Sequence, residues 1–268
     1  MIELIQITND PDFAARCDRL PGMRLFVDLE RHGKAERQAG RSTFISSHVL
    51  EDVGRVRAVL RQSRLMVRVN PLHERTADEV DAVLEQGCDL LMLPMFERAA
   101  ALQEFCRIVD GRRPVVALLE TAGALHSLND WIDARGVEEV FIGLNDLHLS
   151  LGLRFMFEPL ASGVVESVAR AVHAAGLRLG FGGVARLDEG LLPGRLVLAE
   201  HVRLGSRSVI LSRTFHRADS GESFEQQVRS LREAERVLAA RSTPQVQLDT
   251  KTMIASVERI RAEIGLAA

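Results

Sequence analysis

Two acidic residues end strongly apolar segments of this 268-residue chain, at positions where they could bind a metal ion. Glu120 ends the segment PVVALLE, and Asp146 follows EVFIGLN. If both segments are neighbouring parallel strands, which lie about 4.8 Å apart, the carboxylates repel each other unless they share a proton or a cation. Oxygen ligands with room for water suit Mg²⁺ or Mn²⁺. The alternative is that each carboxylate caps the following helix or pairs with an arginine.

Further polar residues end two other apolar segments. Asp28 and Glu30 lie at the end of RLFVDLE, and Arg68 and Asn70 end LMVRVN. Charged groups at such positions are costly to desolvate unless they are paired or bind a metal. The planar guanidinium of Arg68 could hold a carboxylate or an enolate oxygen. It could equally form a salt bridge with one of the acids, and the two roles are compatible.

A third candidate is the backbone of Gly143, Leu144 and Asn145, which precedes Asp146 and a predicted helix. Backbone N–H groups at a helix N-terminus can bind a carboxylate. We therefore expect this segment to contact an anionic substrate group.

These residues can work together only if the apolar segments place them at one mouth. Eight Leu-, Ile- and Val-rich segments alternate with longer segments that include amphipathic helical patterns, which predicts an α/β fold, a (β/α)₈ TIM barrel with an additional C-terminal helix. Nearly continuous apolar runs are typical of parallel strands covered on both faces. An open doubly wound sheet is the alternative, but no glycine-rich nucleotide-binding motif follows an early strand. The predicted strands are 2–7, 24–29, 65–70, 89–94, 114–120, 139–144, 178–183 and 208–213.

The remaining segments give helices and one long loop. The polar segment 31–47 is predicted to be a loop at the barrel mouth, and Pro244 is predicted to end the helix before it. We treat residues 1–268 as a single barrel domain with 245–268 as a helical extension. The apolar stripe of that extension must pack on another subunit or back on its own barrel, and both possibilities stay open. The predicted helices are 76–86, 97–109, 161–175, 222–241 and 249–265.

The composition excludes several classes of partner. The net charge is −3 and the basic residues are scattered, so we expect no nucleic-acid or membrane binding. The N-terminal sequence MIELIQITND lacks the regions of a signal peptide, which predicts a cytoplasmic protein. Three widely spaced cysteines, Cys17, Cys88 and Cys106, are predicted to be buried thiols.

Three ordered blocks resemble a known family. LMLPMFERAAALQEF, VVALLETAGAL and VFIGLNDLHLSLGL together resemble the HpcH/HpaI aldolase and citrate-lyase family, and VRVN at 67–70 resembles the block that carries that family's arginine. The resemblance covers residues 60–155 well and the flanks loosely. It implies a (β/α)₈ barrel, often with a C-terminal helix exchanged between subunits, and we therefore expect a homo-oligomer.

The resemblance also implies roles for individual residues. Glu120 and Asp146 match the family's metal ligands, and Arg68 matches the arginine that contacts the oxygen of a pyruvate-like or acyl fragment. The backbone from Gly143 to Asn145 matches the segment that seats the substrate carboxylate.

The segment after the second strand departs from the family pattern. The aldolase branch has D-x-E-H there and the citrate-lyase branch D-L-E-D, whereas this chain reads Asp28-Leu29-Glu30-Arg31-His32. The histidine is displaced by one position. Asp28, Glu30, His32 and His48 therefore remain alternative acid/base residues, and a surface position without a catalytic role remains open for each histidine. The family's usual Gly-Pro also reads Gly143-Leu144 here.

The reaction expected from these residues is metal-dependent (class II) cleavage or formation of a 4-hydroxy-2-oxo acid through a pyruvate-type enolate. The partners would be a 2-oxo acid and an aldehyde. The first alternative is a CoA-thioester lyase of the citrate lyase beta-subunit or malyl-CoA lyase type, and the second is a non-catalytic barrel subunit or binding protein. Lys34 and Lys251 do not end core strands, which argues against a Schiff-base aldolase.

Two further pairs have weaker expectations. Gly182 and Gly183 end the seventh strand and fit a tight turn better than a close approach of substrate. Arg213 and His216 follow the eighth strand and could contact the distal end of a substrate.

Overall fold

The computed structural model describes residues 1–32, 47–216 and 221–267. Its eight strands form a closed barrel in sequence order, which confirms the predicted (β/α)₈ fold. Each predicted strand is present, with ends that differ by at most two residues. The strands are β1 (Glu3–Ile7), β2 (Met23–Asp28), β3 (Arg64–Arg68), β4 (Leu90–Leu93), β5 (Val115–Leu119), β6 (Val137–Ile142), β7 (Arg178–Val184) and β8 (Ser208–Leu211).

Helices separate the strands along the described chain, and a short 3₁₀ helix, Arg213–His216, follows β8. None of the helices in these ranges is both long enough and apolar enough to cross a membrane. The α-helices are α1 (Pro11–Asp18), α2 (Leu50–Val59), α3 (Thr76–Glu85), α4 (Ala99–Val109), α5 (Ala122–His126), α6 (Leu128–Trp131), α7 (Leu144–Ser150), α8 (Glu158–Ala161), α9 (Val164–Ala174), α10 (Gly194–Arg203), α11 (Phe224–Ala239) and α12 (Thr243–Ala267).

The chain divides into two compact units, of which the first is Ile5–Val140. Within it β2 pairs in parallel with β3, β3 with β4 and β4 with β5. Every residue of β2, β4 and β5 is buried, as expected for parallel strands that are covered on both faces. The register places Asp28 beside Arg68, so the polar ends of β2 and β3 coincide.

The second unit comprises Met1–Leu4 and Phe141–Ala268. Its strands β7 and β8 pair in parallel, with an irregularity between Gly180 and Gly183. Gly182 has a φ of 50°, and a Cβ there would lie 2.7 Å from Cδ1 of Leu144. This glycine therefore allows a left-handed backbone and close packing of Leu144. The predicted tight turn is wrong, because Gly182 and Gly183 lie inside β7 at its irregularity.

The tail differs from the prediction at Pro244. Helix α11 ends at Ala239, and α12 already begins at Thr243, so residues 244–248 are helical and not part of a break. Proline is tolerated in the first turn of a helix because the N–H it lacks would have no helical partner there. Pro244 thus lies in the first turn of α12, although it was predicted only to end the preceding helix.

Helix α12 packs within its own chain. Its buried stripe contains Met253, Val257 and Ile260, and it contacts α8 and α10. Arg241, just before it, donates to Asp249 at 2.5 Å. Contact with a second subunit stays a prediction. The three cysteines are buried free thiols, as predicted, and most of the predicted mouth loop, residues 33–46, lies outside the described residues.

Candidate active site at the ends of β2, β3 and β5

The centre of the candidate site is an ion pair between the last residues of β2 and β3. Arg68 donates from Nε to Oδ1 of Asp28 at 2.9 Å and from Nη2 to Oδ2 at 2.8 Å. Its Nη2 also lies 3.3 Å from Oε2 of Glu30. Two parallel hydrogen bonds fix the plane of the guanidinium. The salt-bridge alternative for Arg68 is therefore correct. A contact with substrate would have to use the guanidinium nitrogen that does not bond Asp28.

The remaining part of Arg68 is its Nη1 edge. Nη1 makes no hydrogen bond to any residue in the described ranges, and the side chain is 15% exposed. The guanidinium carbon lies 5.8 Å from the ring centre of Phe26, on the preceding part of β2. An anionic oxygen could approach the free edge without displacing Asp28.

Three carboxylates raise the pKa of Arg68. Burial alone would lower the pKa of Arg68, but the charges of Asp28, Glu30 and Glu120, with the hydrogen bonds to Asp28, hold that pKa above its ordinary value. These three carboxylates are at most 4% exposed. Three buried carboxylates therefore act on one guanidinium in a place where solvent screening is weak.

Glu120, immediately after β5, is oriented by a strained neighbour. Its Oε1 accepts the backbone N–H of Met95 at 3.0 Å, and Met95 has a φ of 55°. A residue other than glycine with a left-handed backbone conformation costs of order 1 kcal/mol, and such residues cluster at functional sites. The alternative that Glu120 caps the next helix is wrong, because the Thr121 side chain caps α5. Glu120 is thus a buried, oriented carboxylate.

Asp146 lies in the second unit, in the first turn of α7. Its side chain is half-buried, and it makes no hydrogen bond or ion pair with any residue that the structure describes. The N-cap of α7 is Gly143, followed by Leu144 and Asn145. Neither the arginine pair nor the helix cap suggested as an alternative for Asp146 is present in the described part of the chain.

The acid/base candidates differ in how they are held. Asp28 and Glu30 are paired with Arg68. His48 is buried, and its Nδ1 accepts the backbone N–H of Asp28 at 3.1 Å, so the neutral ring carries its proton on Nε2. His32 is exposed at its end of the first described range.

Two of the weaker expectations can be located. Arg213 and His216 form the ends of the 3₁₀ helix after β8, and burial lowers the pKa of His216. Lys251 is exposed on α12 and is the single lysine in the described ranges, because Lys34 lies outside them. An exposed helical lysine is not a candidate for a Schiff base.

The family model of the HpcH/HpaI aldolase/citrate lyase family matches residues 8–182, which is more than half of the chain. The chain belongs to this family. The HpcH/HpaI match covers β2, β3 and β5 and therefore every residue placed around Arg68. Membership supports a lyase-type enzyme. No functionally curated protein matches the chain by sequence.

Solved structures share the barrel of this HpcH/HpaI protein. A family protein from Burkholderia cenocepacia has a TM-score of 0.63 at 17% identity, covering 89% of this chain and 95% of that one. An HpcH/HpaI aldolase from Desulfitobacterium hafniense has a TM-score of 0.59 at 14% identity, with 90% and 94% covered. A citrate lyase beta subunit from M. tuberculosis, complexed with oxaloacetate and magnesium, has a TM-score of 0.60 at 21% identity, with 88% and 97% covered. At these identities the likeness establishes the fold alone.

Within the described residues of this HpcH/HpaI protein, no group of three or more His, Cys, Asp or Glu side chains is arranged to hold a metal ion. The donor chemistry of Glu120 and Asp146 nevertheless fits a hard divalent cation, because both are carboxylates. Asp146 has no competing protein partner in the described ranges, and Glu120 is held at one oxygen by a neutral amide.

Sequence reasoning missed three residues that shape this site. Met95 positions Glu120, and no sequence signal marks its left-handed backbone. His73 and Glu79 follow β3 and contact Asn70 or each other. The polar segment after LMVRVN could have drawn attention to them, because polar residues beyond a barrel strand lie at the mouth.

Proposed function

We propose that the protein is a metal-dependent carbon–carbon lyase that cleaves or forms a 4-hydroxy-2-oxo acid through a pyruvate-type enolate. The observation that carries the proposal is the Arg68 cluster. One guanidinium with a free Nη1 edge lies among three buried carboxylates at the ends of barrel strands, where the working residues of TIM barrels lie. Family membership supports the lyase class.

The proposed metal ligands are Glu120 and Asp146, with Mg²⁺ or Mn²⁺ as the ion. The cluster of buried carboxylates around Arg68 and the absence of a protein partner for Asp146 in the described ranges support this assignment. When bound, a divalent ion supplies Lewis-acid polarisation of the keto group. The carboxylate seat at Gly143, Leu144 and Asn145 remains a prediction from the sequence.

The chain's own residues then have distinct tasks. Arg68 would hold the developing enolate oxygen through Nη1, since its other edge is fixed by Asp28. A base would accept the proton of the C4 hydroxyl while the C3–C4 bond breaks, so that its electron pair forms the enolate and C4 leaves as an aldehyde. Return of the proton to C3 gives pyruvate. Of the four acid/base candidates, we assign this task to His32, because it is the exposed one and the others are buried.

The test is pyruvate release from a panel of 4-hydroxy-2-oxo acids by the full chain. The enzyme is stripped with EDTA and assayed with and without Mg²⁺ or Mn²⁺, as wild type, Glu120→Gln and Asp146→Asn. We expect metal-dependent release that falls by about 10²-fold or more in both variants, as for loss of a preorganised electrostatic group. The matched control is Glu104→Gln, the same change on an exposed face of α4.

The outcomes separate the candidate functions. Metal-independent release, or full activity in Glu120→Gln, contradicts the proposed ligands. The same enzyme is also offered malyl-CoA, because a CoA-thioester lyase could use the same Arg68 and carboxylates. Turnover of the thioester without turnover of any 4-hydroxy-2-oxo acid replaces the aldolase assignment. No turnover of either class favours a non-catalytic barrel. Light scattering on the same sample tests the expected homo-oligomer.

A further inference from the structure

We propose that Asn70, Glu79 and His73 form a positioning network that fixes His32 for proton transfer. The network lies entirely within the first unit and joins the N-terminal part of α3 to the chain just beyond β2. This inference rests on the proposed function and adds to it the residues that place the base.

Asn70 holds the backbone of the two residues that precede the undescribed segment. Its Oδ1 accepts the N–H of Arg31 at 2.8 Å and the N–H of His32 at 3.0 Å. One amide oxygen thus satisfies two successive backbone donors that have left the barrel strand. The position of His32 depends on which way the Asn70 amide points.

Glu79 fixes that direction. Its Oε1 accepts from Nδ2 of Asn70 at 2.7 Å and from the Asn70 backbone N–H at 3.1 Å. Because a carboxylate only accepts, the donating end of the Asn70 amide must face Glu79. The amide oxygen is thereby turned toward residues 31 and 32.

The second oxygen of Glu79 fixes His73. Oε2 lies 3.0 Å from Nε2 of His73, and Nδ1 of His73 accepts the backbone N–H of Arg75 at 3.2 Å. Since Nδ1 carries the lone pair, Nε2 carries the proton that is donated to Glu79. The His73 ring is thus fixed at both nitrogens and cannot itself serve as the base without breaking one of these bonds.

The fixed ring of His73 contacts His32. The two ring centres are 4.8 Å apart with an interplanar angle of 74°, an edge-on arrangement. His32 is therefore held twice, at its backbone by Asn70 and at its ring by His73. Among the acid/base candidates, it combines this support with an exposed ring, whereas His48 is buried.

The chemical role of the network is positioning, because its members act through His32. His32 accepts the proton of the C4 hydroxyl as the C3–C4 bond breaks, and it returns that proton to C3 of the enolate. No oxidant or second reactant is needed. Loss of the network should lower kcat and leave the KM of the 2-oxo acid, which depends on Arg68, nearly unchanged.

The decisive variant is Glu79→Gln. Glutamine has one acceptor oxygen, whereas Glu79 accepts from donors at both of its oxygens, so one end of the glutamine must oppose a donor. We expect kcat to fall about 10-fold or more, part of the roughly 10²–10⁴ contributed by positioned acid–base groups, with KM within about two-fold. His32→Gln should lose about 10² in kcat. The matched control is Glu85→Gln, an exposed residue at the other end of α3.

His73→Phe separates ring packing from hydrogen bonding. It keeps an aromatic ring beside His32 and removes the bond to Glu79, so we expect a kcat between that of wild type and that of Glu79→Gln. Melting curves ensure that each assay is run well below the unfolding temperature of the weakest variant. A loss in Glu79→Gln no larger than in Glu85→Gln, or a loss confined to KM, overturns the positioning role. Full turnover in His32→Gln also overturns it.

A readout that does not need turnover keeps the two proposals distinguishable. In a long-range ¹⁵N–¹H spectrum of histidine rings, wild-type His73 should show a single Nε2–H tautomer, and Glu79→Gln should lose it. If wild type shows this tautomer but no lyase activity, the proposed function fails while the network stands. A His73 ring that exchanges freely between tautomers in wild type overturns the network itself.

Discussion

The two ends of strand β2 carry buried charges that are compensated in different ways. Near its start, Arg24 donates from Nη2 to Oε2 of Glu139 at 2.8 Å, and both side chains are fully buried. At its end, Asp28 shares Arg68 with Glu30, and Glu120 contributes its charge to the same arginine. At the start of β2 one arginine is hydrogen-bonded to one carboxylate, whereas at its end one arginine is paired with two carboxylates and is acted on by the charge of a third.

The difference shows what each end can do. Arg24, Phe26 and Asp28 share one face of β2 because alternate residues of a strand point the same way. The Arg24–Glu139 pair is fully buried, and its charges compensate each other inside the barrel. Carboxylates that cluster around one arginine repel one another, and a cation or a proton that joins them lowers that repulsion. We therefore expect the start of β2 to serve stability and its end to serve chemistry.

The largest expected effect comes from breaking the balanced pair. Glu139→Gln removes the carboxylate that pairs with the buried Arg24 guanidinium, and breaking a buried ion pair at one partner typically costs about 3–5 kcal/mol. We expect urea unfolding to show a loss of this size. The double variant Arg24→Met/Glu139→Leu removes both charges. Its free energy of unfolding should be higher than that of wild type or lower by no more than about 2 kcal/mol. Equal losses in the single and double variants would show that packing and not charge balance matters there.

Arg68→Lys tests the arginine at the end of β3 and has the second-largest expected effect. An ammonium cannot hold both oxygens of Asp28 and also offer a free planar edge, so the enolate oxygen loses its donor. We expect kcat/KM to fall by about 10²–10³, equivalent to about 2.7–4 kcal/mol. Arg64→Lys at the other end of β3, where the partner is Glu138, is the matched control. Similar losses in both variants would contradict a specific role for Arg68.

Glu30→Gln tests what one carboxylate beside Arg68 contributes. It removes one of the three negative charges and leaves the two bonds between Arg68 and Asp28 in place. We expect the free energy of unfolding of the metal-free variant to lie within about 1 kcal/mol of the wild-type value, in contrast to that of Glu139→Gln.

Stabilisation of the same variant by Mg²⁺ then shows how much the Glu30 charge contributes to metal affinity. Ligand at 100 times its Kd stabilises a folded protein by about 2.7 kcal/mol. We expect Mg²⁺ at that concentration to stabilise wild type by this amount. Glu30→Gln should need about ten times more Mg²⁺ for the same stabilisation, which corresponds to a loss of about 1.4 kcal/mol in binding free energy. Calorimetric titration measures both affinities. An unchanged Mg²⁺ affinity would mean that the charge of Glu30 does not contribute to binding the ion.

The comparison also explains what the sequence could and could not reveal. The strand ends were predictable because parallel strands are continuous apolar runs, so Asp28, Arg68 and Glu120 stand out as the polar residues that end them. The partner of Arg24 was not, because Glu139 is 115 positions away and both residues look like ordinary surface charges in the sequence.

Local conformation set a second limit. Nothing in LMLPMF indicates that Met95 has a positive φ, because methionine has no intrinsic preference for that backbone. Pro244 shows the opposite case, in which a residue with a strong preference was assigned to the wrong side of a helix boundary. Proline limits helices at both ends, and the deciding neighbours, Ser242 and Gln245, became clear only from their hydrogen bonds.

The smallest expected effect concerns His201, a buried ionisable side chain that can be compared with the buried pair of Arg24 and Glu139. It lies on α10, its ring is stacked on Phe181 at 3.6 Å, and Nδ1 is 2.9 Å from Oγ of Ser206. Burial lowers its pKa to about 3, so the folded protein keeps it neutral. The unfolded chain has a histidine pKa of about 6.5. As pH falls below that value, the unfolded state gains a proton that the folded state does not bind, and stability is lost progressively until pH approaches 3.

The slope identifies His201 as the source. One such group contributes at most about 1.4 kcal/mol per pH unit to the free energy of unfolding. We expect urea unfolding of wild type between pH 6.5 and pH 4.5 to fall more steeply than that of His201→Phe by up to this amount, because phenylalanine keeps the stacking and cannot titrate. His126→Gln, at an exposed histidine, is the matched control for the loss of one histidine. Parallel profiles for wild type and His201→Phe would mean that His201 gains its proton in the folded state, and an unpaired buried charge would then be tolerated where the balanced pair of Arg24 and Glu139 implies that it is not.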